Sequence, residues 1–158
     1  MTHEIHTTWG EFRHAFGQIL RLSKQSLCIF DDDLTQLGLQ SAEAAELVQR
    51  MLTRNPVASV RIALRRIDRL HETHPRLVQL VVSQSHRIKI AQIPSNLQPL
   101  RDTLVVSDNE HALVRFDLEH ARHKFILADE PEVVPYAQRF NEIWANPGTP
   151  FQPTAMGL

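Results

Sequence analysis

The sequence predicts an α/β domain: a mixed β-sheet flanked by helices on both faces. Three observations carry that prediction. Short apolar runs of strand length, Ser26–Phe30 and Val60–Leu64, alternate with longer stretches of helical period. The alternation breaks at Thr103–Phe116, where two strand patterns flank Asp108-Asn109-Glu110, a hairpin by its turn residues. The 158 residues are 42% hydrophobic, enough to fill one core. A formal charge of −1 excludes a supercharged nucleic-acid tail, and with the apolar fraction it excludes wholesale disorder.

Each element has a local cause. Thr8-Trp9-Gly10-Glu11 reads as a capping box that opens a first helix. Trp9, Phe12, Phe16, Ile19 and Leu20 then recur on one face. Ser26–Phe30 is a buried strand, ended by Asp31-Asp32-Asp33. Ser41 caps a second helix to about Thr53, and Asn55-Pro56 stops it. Val60–Leu64 is a strand, and Arg65–His74 is expected to be a polar loop. Pro75 suits the first turn of a third helix. That helix is so apolar (Leu77, Val78, Leu80, Val81, Val82) that it is expected to be largely buried. Arg87–Ile90 alternates as a strand, and Phe125–Ala128 adds another. The last helix carries Tyr136, Ala137, Phe140, Ile143 and Trp144 on one stripe, with Pro135 expected in its first turn. The domain is thus expected to span 1–146, beginning with the N-terminal helix. Residues 147–158, with three prolines, are expected to form an irregular tail.

Charge is balanced overall but not locally. Arg61–Lys89 holds seven cations against Asp68 and Glu72, a local +5, while Asp108–Glu142 holds eight acids against four cations, a local −4. Such halves can complement each other within one fold or between two copies. The single cysteine, Cys28, permits no intramolecular disulfide, which favours a reducing compartment. Between Leu27 and Ile29 it reads as a small buried hydrophobe. No basic region followed by an apolar run opens the chain, and Leu77–Val82 is far too short to span a bilayer. A cytoplasmic protein without a membrane partner is expected.

The order strand Val60–Leu64, helix, strand His86–Ile90, hairpin Leu104–Asp108 with Ala112–Val114, and a closing Phe140-Asn141-Glu142-Ile143-Trp144 resembles one half-unit of the phospholipase D superfamily. The likeness covers roughly Ser26–Ala145, and within the superfamily the chain is similar to an uncharacterised proteobacterial branch. In active members a His-x-Lys-x-x-x-x-Asp motif sits at the hairpin. The imidazole attacks phosphorus and the ammonium holds phosphate oxygens. Aligned on Asp108, the Lys position is Thr103 and the His position is Arg101. Arginine stays protonated at neutral pH and threonine carries no charge. Arg115-Phe116 also stands where the family has Gly-Ser, and no His-x-Lys pair occurs anywhere in the chain. The resemblance therefore implies the frame without the phosphodiester chemistry, a pseudoenzyme acting as a binding or interaction module without a cofactor. It also implies a homodimer, because single half-units pair to assemble a site.

Other constellations suggest alternatives. Asp31-Asp32-Asp33-Leu34-Thr35 fits the Asp-x-Asp-x-Thr opening of haloacid-dehalogenase-like phosphatases. There Asp31 would attack phosphorus, Asp33 would act as acid/base, and Asp129 would help hold Mg²⁺. The residue after the second strand is Arg65 rather than Ser or Thr, so the expectation is that these acids cap the turn and stay solvated. Arg65, Arg66, Arg69, His74 and Arg76 follow a strand end, where a phosphate-containing ligand could sit. Weak nucleic-acid or anion binding through this arginine cluster is a second alternative, with nucleic acid disfavoured because little aromatic interleaving offers bases a stacking platform. His71-x-x-His74 and His120-x-x-His123 have ligand spacing but lack a third partner, so no metal is expected.

Overall fold

A computed structural model describes residues 2–146 and 148–153. The elements run β1 (Thr2–His6), α1 (Trp9–Leu22), β2 (Ser26–Asp31), α2 (Ala42–Arg54), β3 (Ser59–Leu64), α3 (Leu70–Thr73), α4 (Pro75–Ser83), β4 (Ile88–Gln92), β5 (Thr103–Ser107), β6 (His111–Arg115), β7 (His123–Leu127), α5 (Glu130–Trp144) and β8 (Thr149–Pro150). One eight-stranded sheet has the order β1-β7-β6-β5-β2-β3-β4-β8. β2, β3 and β4 are parallel, and the remaining pairings are antiparallel. This is the mixed, two-sided α/β architecture expected from the alternation.

The sheet divides the core by side-chain parity. Leu27, Ile29, Val60, Ile62, Val105 and Leu113 face one apolar cluster with Phe12, Phe16, Val48 and Leu77, from α1, α2 and α4. Cys28, Phe30, Ala63, Leu104 and Ile126 face the other, with Val133, Phe140 and Ile143 from α5. The caps are as read. The Glu11 amide donates to Thr8 Oγ1 (3.1 Å), and the Thr8 amide donates back to Glu11 Oε1 (3.2 Å). The Ala44 amide donates to Ser41 Oγ (3.0 Å).

Five details differ from expectation. β1 precedes the first helix and pairs with β7 at the sheet edge; a short polar strand at an edge leaves little apolar pattern to read. Within the segment read as irregular tail, β8 pairs with β4, Thr149 opposite Gln92. Gly148 permits this approach, because a Cβ there would lie 2.0 Å from the Gln92 carbonyl oxygen. The helix α5 begins at Glu130, five residues before Pro135. Asp129 caps it and Pro135 is accommodated inside it, on an exposed position. The segment read as a polar loop contains the short helix α3. Finally, α4 buries only Leu77, Val78 and Val81, leaving Val82 48% exposed. A hydrophobic face, not the whole helix, meets the core.

Candidate functional site

The parallel strands β2 and β3 finish at the end of the sheet where β5 begins, β6 ends and β7 begins. Phe30 lies opposite Leu104, Thr103 opposite Arg115, and Arg115 opposite His123. Asp31, Thr103, Arg115 and His123 therefore form a row across four adjacent strands. They share the face of Ile29, Val105, Leu113 and Phe125, beneath α1.

All four are buried, with exposures of 2% or less. Thr103 Oγ1 donates to Asp31 Oδ1 at 2.6 Å. Arg115 Nη2 donates to the same Oδ1 at 3.2 Å and to Thr103 Oγ1 at 3.0 Å. Its Nη1 donates to the Asp117 and Leu118 carbonyls (3.0 and 2.7 Å). The guanidinium carbon lies 5.0 Å from the Trp9 ring centre and 5.4 Å from that of Phe12, so α1 roofs the ion pair with two aromatic faces. Asp31 Oδ2 accepts the Leu34 amide (3.0 Å), which fixes a fully buried leucine at φ 74°. A left-handed leucine is costly, and the carboxylate is one of the groups that hold it there.

His123 extends the row. Its Nδ1 lies 2.7 Å from the Ala121 carbonyl, which can only accept, so Nδ1 carries the proton. Phe12 meets its ring edge-on, and the His6 ring is 5.7 Å away. His74, at the start of α4, contacts Thr73 Oγ1 through Nδ1 (2.7 Å). Burial pushes both imidazoles below the ordinary histidine pKa and favours the neutral forms.

The motif positions identified by resemblance are dispersed. Thr103 belongs to the buried row. Arg101 is exposed and clamps Asp117 (3.0 and 3.2 Å) and Glu119 (3.2 Å). The hydrogen bond from Arg101 holds the Asp117 carboxyl down at about 2. Asp108 lies at the opposite end of the hairpin, at φ 56°. Its carboxylate accepts the amides of Lys24, Gln25 and Ser26 (2.9, 2.7 and 2.9 Å), fastening the chain as it enters β2.

The three aspartates of the phosphatase reading do not converge. Asp31 is sealed against Arg115, which corrects the expectation that it stays solvated. Asp33 turns outward to cap Thr35 and to pair with Arg66 (3.0 Å). Asp129 caps α5, and its amide donates to Glu110 in the β5–β6 turn, at the far end of the sheet from Asp31.

Nor do the proposed anion ligands form one cup. Arg65 is 4% exposed on the α5 face, donates to the Leu100 and Asp102 carbonyls, and covers the Phe30 ring. Arg66 is engaged by Asp32 and Asp33, and Arg69 by Glu72 (3.1 Å). Both line a cavity of only about 90 Å³. Arg76 reaches the Gln40 carbonyl instead (3.2 Å). Of the spaced histidines, His71 contacts the Phe151 ring, and His74 and His123 are separately buried. Among the described residues, no group of three or more His, Cys, Asp or Glu could hold a metal ion.

Sequence reasoning missed that Arg115 and His123 belong to one buried row. The available signal was parity: Arg115 continues the inward phase of His111 and Leu113 along β6.

Chemically the row offers one carboxylate, one hydroxyl, one guanidinium and one imidazole. The one hydroxyl is engaged with Asp31. The one permanent cation faces that carboxylate, two backbone carbonyls and two rings. Solved structures share the arrangement of elements. The phospholipase D family member Nuc from Salmonella typhimurium superposes with a TM-score of 0.65 at 10% identity, covering 96% of this chain and 98% of that one. Phosphatidylserine synthase from Haemophilus influenzae Rd KW20 gives 0.64 at 13%, over 99% of this chain and 40% of that one. TrmBL2, an archaeal chromatin protein described with a novel mode of DNA binding, gives 0.67 at 14%, over 91% of this chain and 52% of that one. The chain thus spans about half the length of TrmBL2. No curated protein matches the sequence. Among the described residues no helix is long and apolar enough to cross a membrane. The chain has a phospholipase-D-like fold, and through residues 8–150 it belongs to the family described as a domain of unknown function, DUF7931.

Proposed function

We propose that this chain is a catalytically silent phospholipase-D-like module of the bacterial cytoplasm that works by binding a partner, as a homodimer. One observation carries the reading. Thr103, at the position where the resemblance calls for a phosphate-holding lysine, gives its hydroxyl to Asp31 and is packed with Arg115 beneath Trp9 and Phe12. A phosphate oxygen arriving there would have to displace a buried carboxylate already matched to a guanidinium. Removing either partner of such a pair is strongly unfavourable. The homodimer rests on the resemblance, in which single half-units pair to assemble a site. The chain matches nearly the whole of Nuc but 40% of the phosphatidylserine synthase, as one repeat unit would. A phosphate-bearing ligand at Arg66 and Arg69 would compete with Asp32, Asp33 and Glu72. DNA binding of the kind named for the chromatin neighbour would meet a chain of net charge −1.

The test is turnover of bis(4-nitrophenyl) phosphate by the purified chain, with and without Mg²⁺, beside sedimentation equilibrium. Hydrolysis no faster than buffer and a dimer mass are expected. Turnover that scales with protein and disappears in Thr103→Ala would overturn the silent reading; a monomer at high concentration would overturn the dimer.

A further inference from the structure

A groove of about 820 Å³ lies away from the buried row, between α2 and α4 on the outer surface of that helical layer. Ala45 and Leu80 are half-buried within it. Arg50 and Arg54 stand along α2, and Arg76 along α4. Arg50 and Arg54 are exposed and engage no ion-pair or hydrogen-bond partner among the described residues. Arg76 touches only a neutral carbonyl, that of Gln40. Glu46 is the one acid of the lining, and it sits four residues before Arg50 without pairing to it. The groove is therefore locally positive on a chain whose overall charge is −1. Arg50 and Arg54 also line a second depression of about 480 Å³ with Lys24, so the positive character continues round the C-terminal half of α2.

We propose that this groove docks an acidic amphipathic helix of a protein partner. Two helices form the walls. The α2 wall from Ala42 to Arg54 extends about 18 Å at ~1.5 Å per residue, room for three to four turns of a third helix, roughly. The apolar strip at Ala45 and Leu80 accepts side chains spaced three and four apart, and the flanking arginines meet carboxylates on either side of that stripe. Arginines left unpaired on a surface with little competing negative charge bring little prior ion pairing to break. A nucleic-acid backbone would gain from the arginines but has nothing to bury on the apolar strip, and no aromatic side chain of the lining offers a base a stacking face. The groove lies apart from Thr103 and Arg115, so an active phosphodiesterase would overturn the preceding proposal and leave this one standing.

The experiment is fluorescence anisotropy with a labelled amphipathic helical peptide of about four turns. It carries leucines on one stripe and glutamates on both sides of that stripe. A matched peptide with lysines replacing the glutamates and a short DNA duplex are run beside it. Binding of the acidic peptide alone is expected, weakening as salt rises. It should fall about tenfold or more in R50E/R54E, and to a lesser degree in R50Q/R54Q. Both variants should keep the parent melting temperature, because the two side chains are exposed. Amide shifts on binding should cluster on α2 and α4. The proposal is overturned by no binding, by equal or tighter binding of the lysine peptide or the duplex, by unchanged affinity in R50E/R54E, or by shifts centred elsewhere.

Discussion

Removing Asp31 tests the energetics of the buried row. In Asp31→Ala the Arg115 guanidinium, on a residue 2% exposed, loses its one carboxylate. Thr103 loses its 2.6 Å acceptor, and the Leu34 amide loses the oxygen that fixes its left-handed turn. Stranding one partner of a buried pair costs about 3–5 kcal/mol. That is a large share of the ~5–15 kcal/mol that holds a domain folded. At roughly 2–4 °C per kcal/mol for this chain length, the melting temperature should drop by about 6–20 °C. Arg115→Met should also destabilise, because it leaves the buried Asp31 carboxylate without its cation. The double variant Asp31→Ala/Arg115→Met strands no charge and should recover most of the loss, giving a coupling of at least about 2 kcal/mol. Urea unfolding followed by tryptophan fluorescence measures all four proteins, because Trp9 lies against Arg115. A cost below about 1 kcal/mol for Asp31→Ala, or additive single-variant effects, would refute the argument that the pair is sealed from water.

Three further outcomes follow from other sites. His74 and His123 are held neutral by burial, so their folded pKa values lie below the unfolded value near 6.5. The unfolded chain therefore binds protons first: stability should be level above pH 7 and fall as pH drops below about 6.5. Urea midpoints in a pH series, for the parent and for His74→Gln/His123→Gln, check this; an unchanged slope in the double variant would contradict it. Asp117, depressed to about 2, contributes in a separate and more acidic window, below its unfolded value of 3.8. Asp108→Ala frees three backbone amides at the entrance to β2 and should cost about 1–3 kcal/mol. Asp108→Asn, which keeps an acceptor and tolerates positive φ, should cost less. Equal melting temperatures for the two variants would contradict the fastening role. Gly148→Ala places a methyl into the Gln92 carbonyl, so β8 should detach from β4. Faster hydrogen exchange at the Phe151 amide, which bonds to the Ile90 carbonyl, with little change in global stability is the expected signature.

Much of the frame was legible because it rests on local rules. The capping box at Thr8 and Glu11, the Ser41 cap and the hairpin turn at Asp108 are short-range patterns, and each element formed where they indicated. β1 and β8 were not legible, because each is an edge strand whose existence depends on a neighbour distant in sequence. The start of α5 was misplaced because Pro135 resembles an opening proline, while Pro131 occupies that role four residues earlier. At the site, Arg101 and Thr103 could be read directly at the positions where the resemblance calls for His and Lys. What fills the space could not. Asp31 and Arg115 are 84 residues apart and meet only once the sheet order sets β2 beside β5 and β5 beside β6. Asp31 in isolation looks like a solvated turn acid or a nucleophile, and burial by Arg115 and Thr103 gives it a different part.

Titration of the isotopically labelled chain with inorganic phosphate, followed by ¹H–¹⁵N spectra, addresses most directly whether this sheet end is closed by the protein's own side chains. The expected result is no saturable shift at the Thr103, Arg115 and His123 amides or at the Arg115 Nε–H. Saturable shifts centred on Thr103 and Arg115 would show a phosphate site that is still open and would contradict the account.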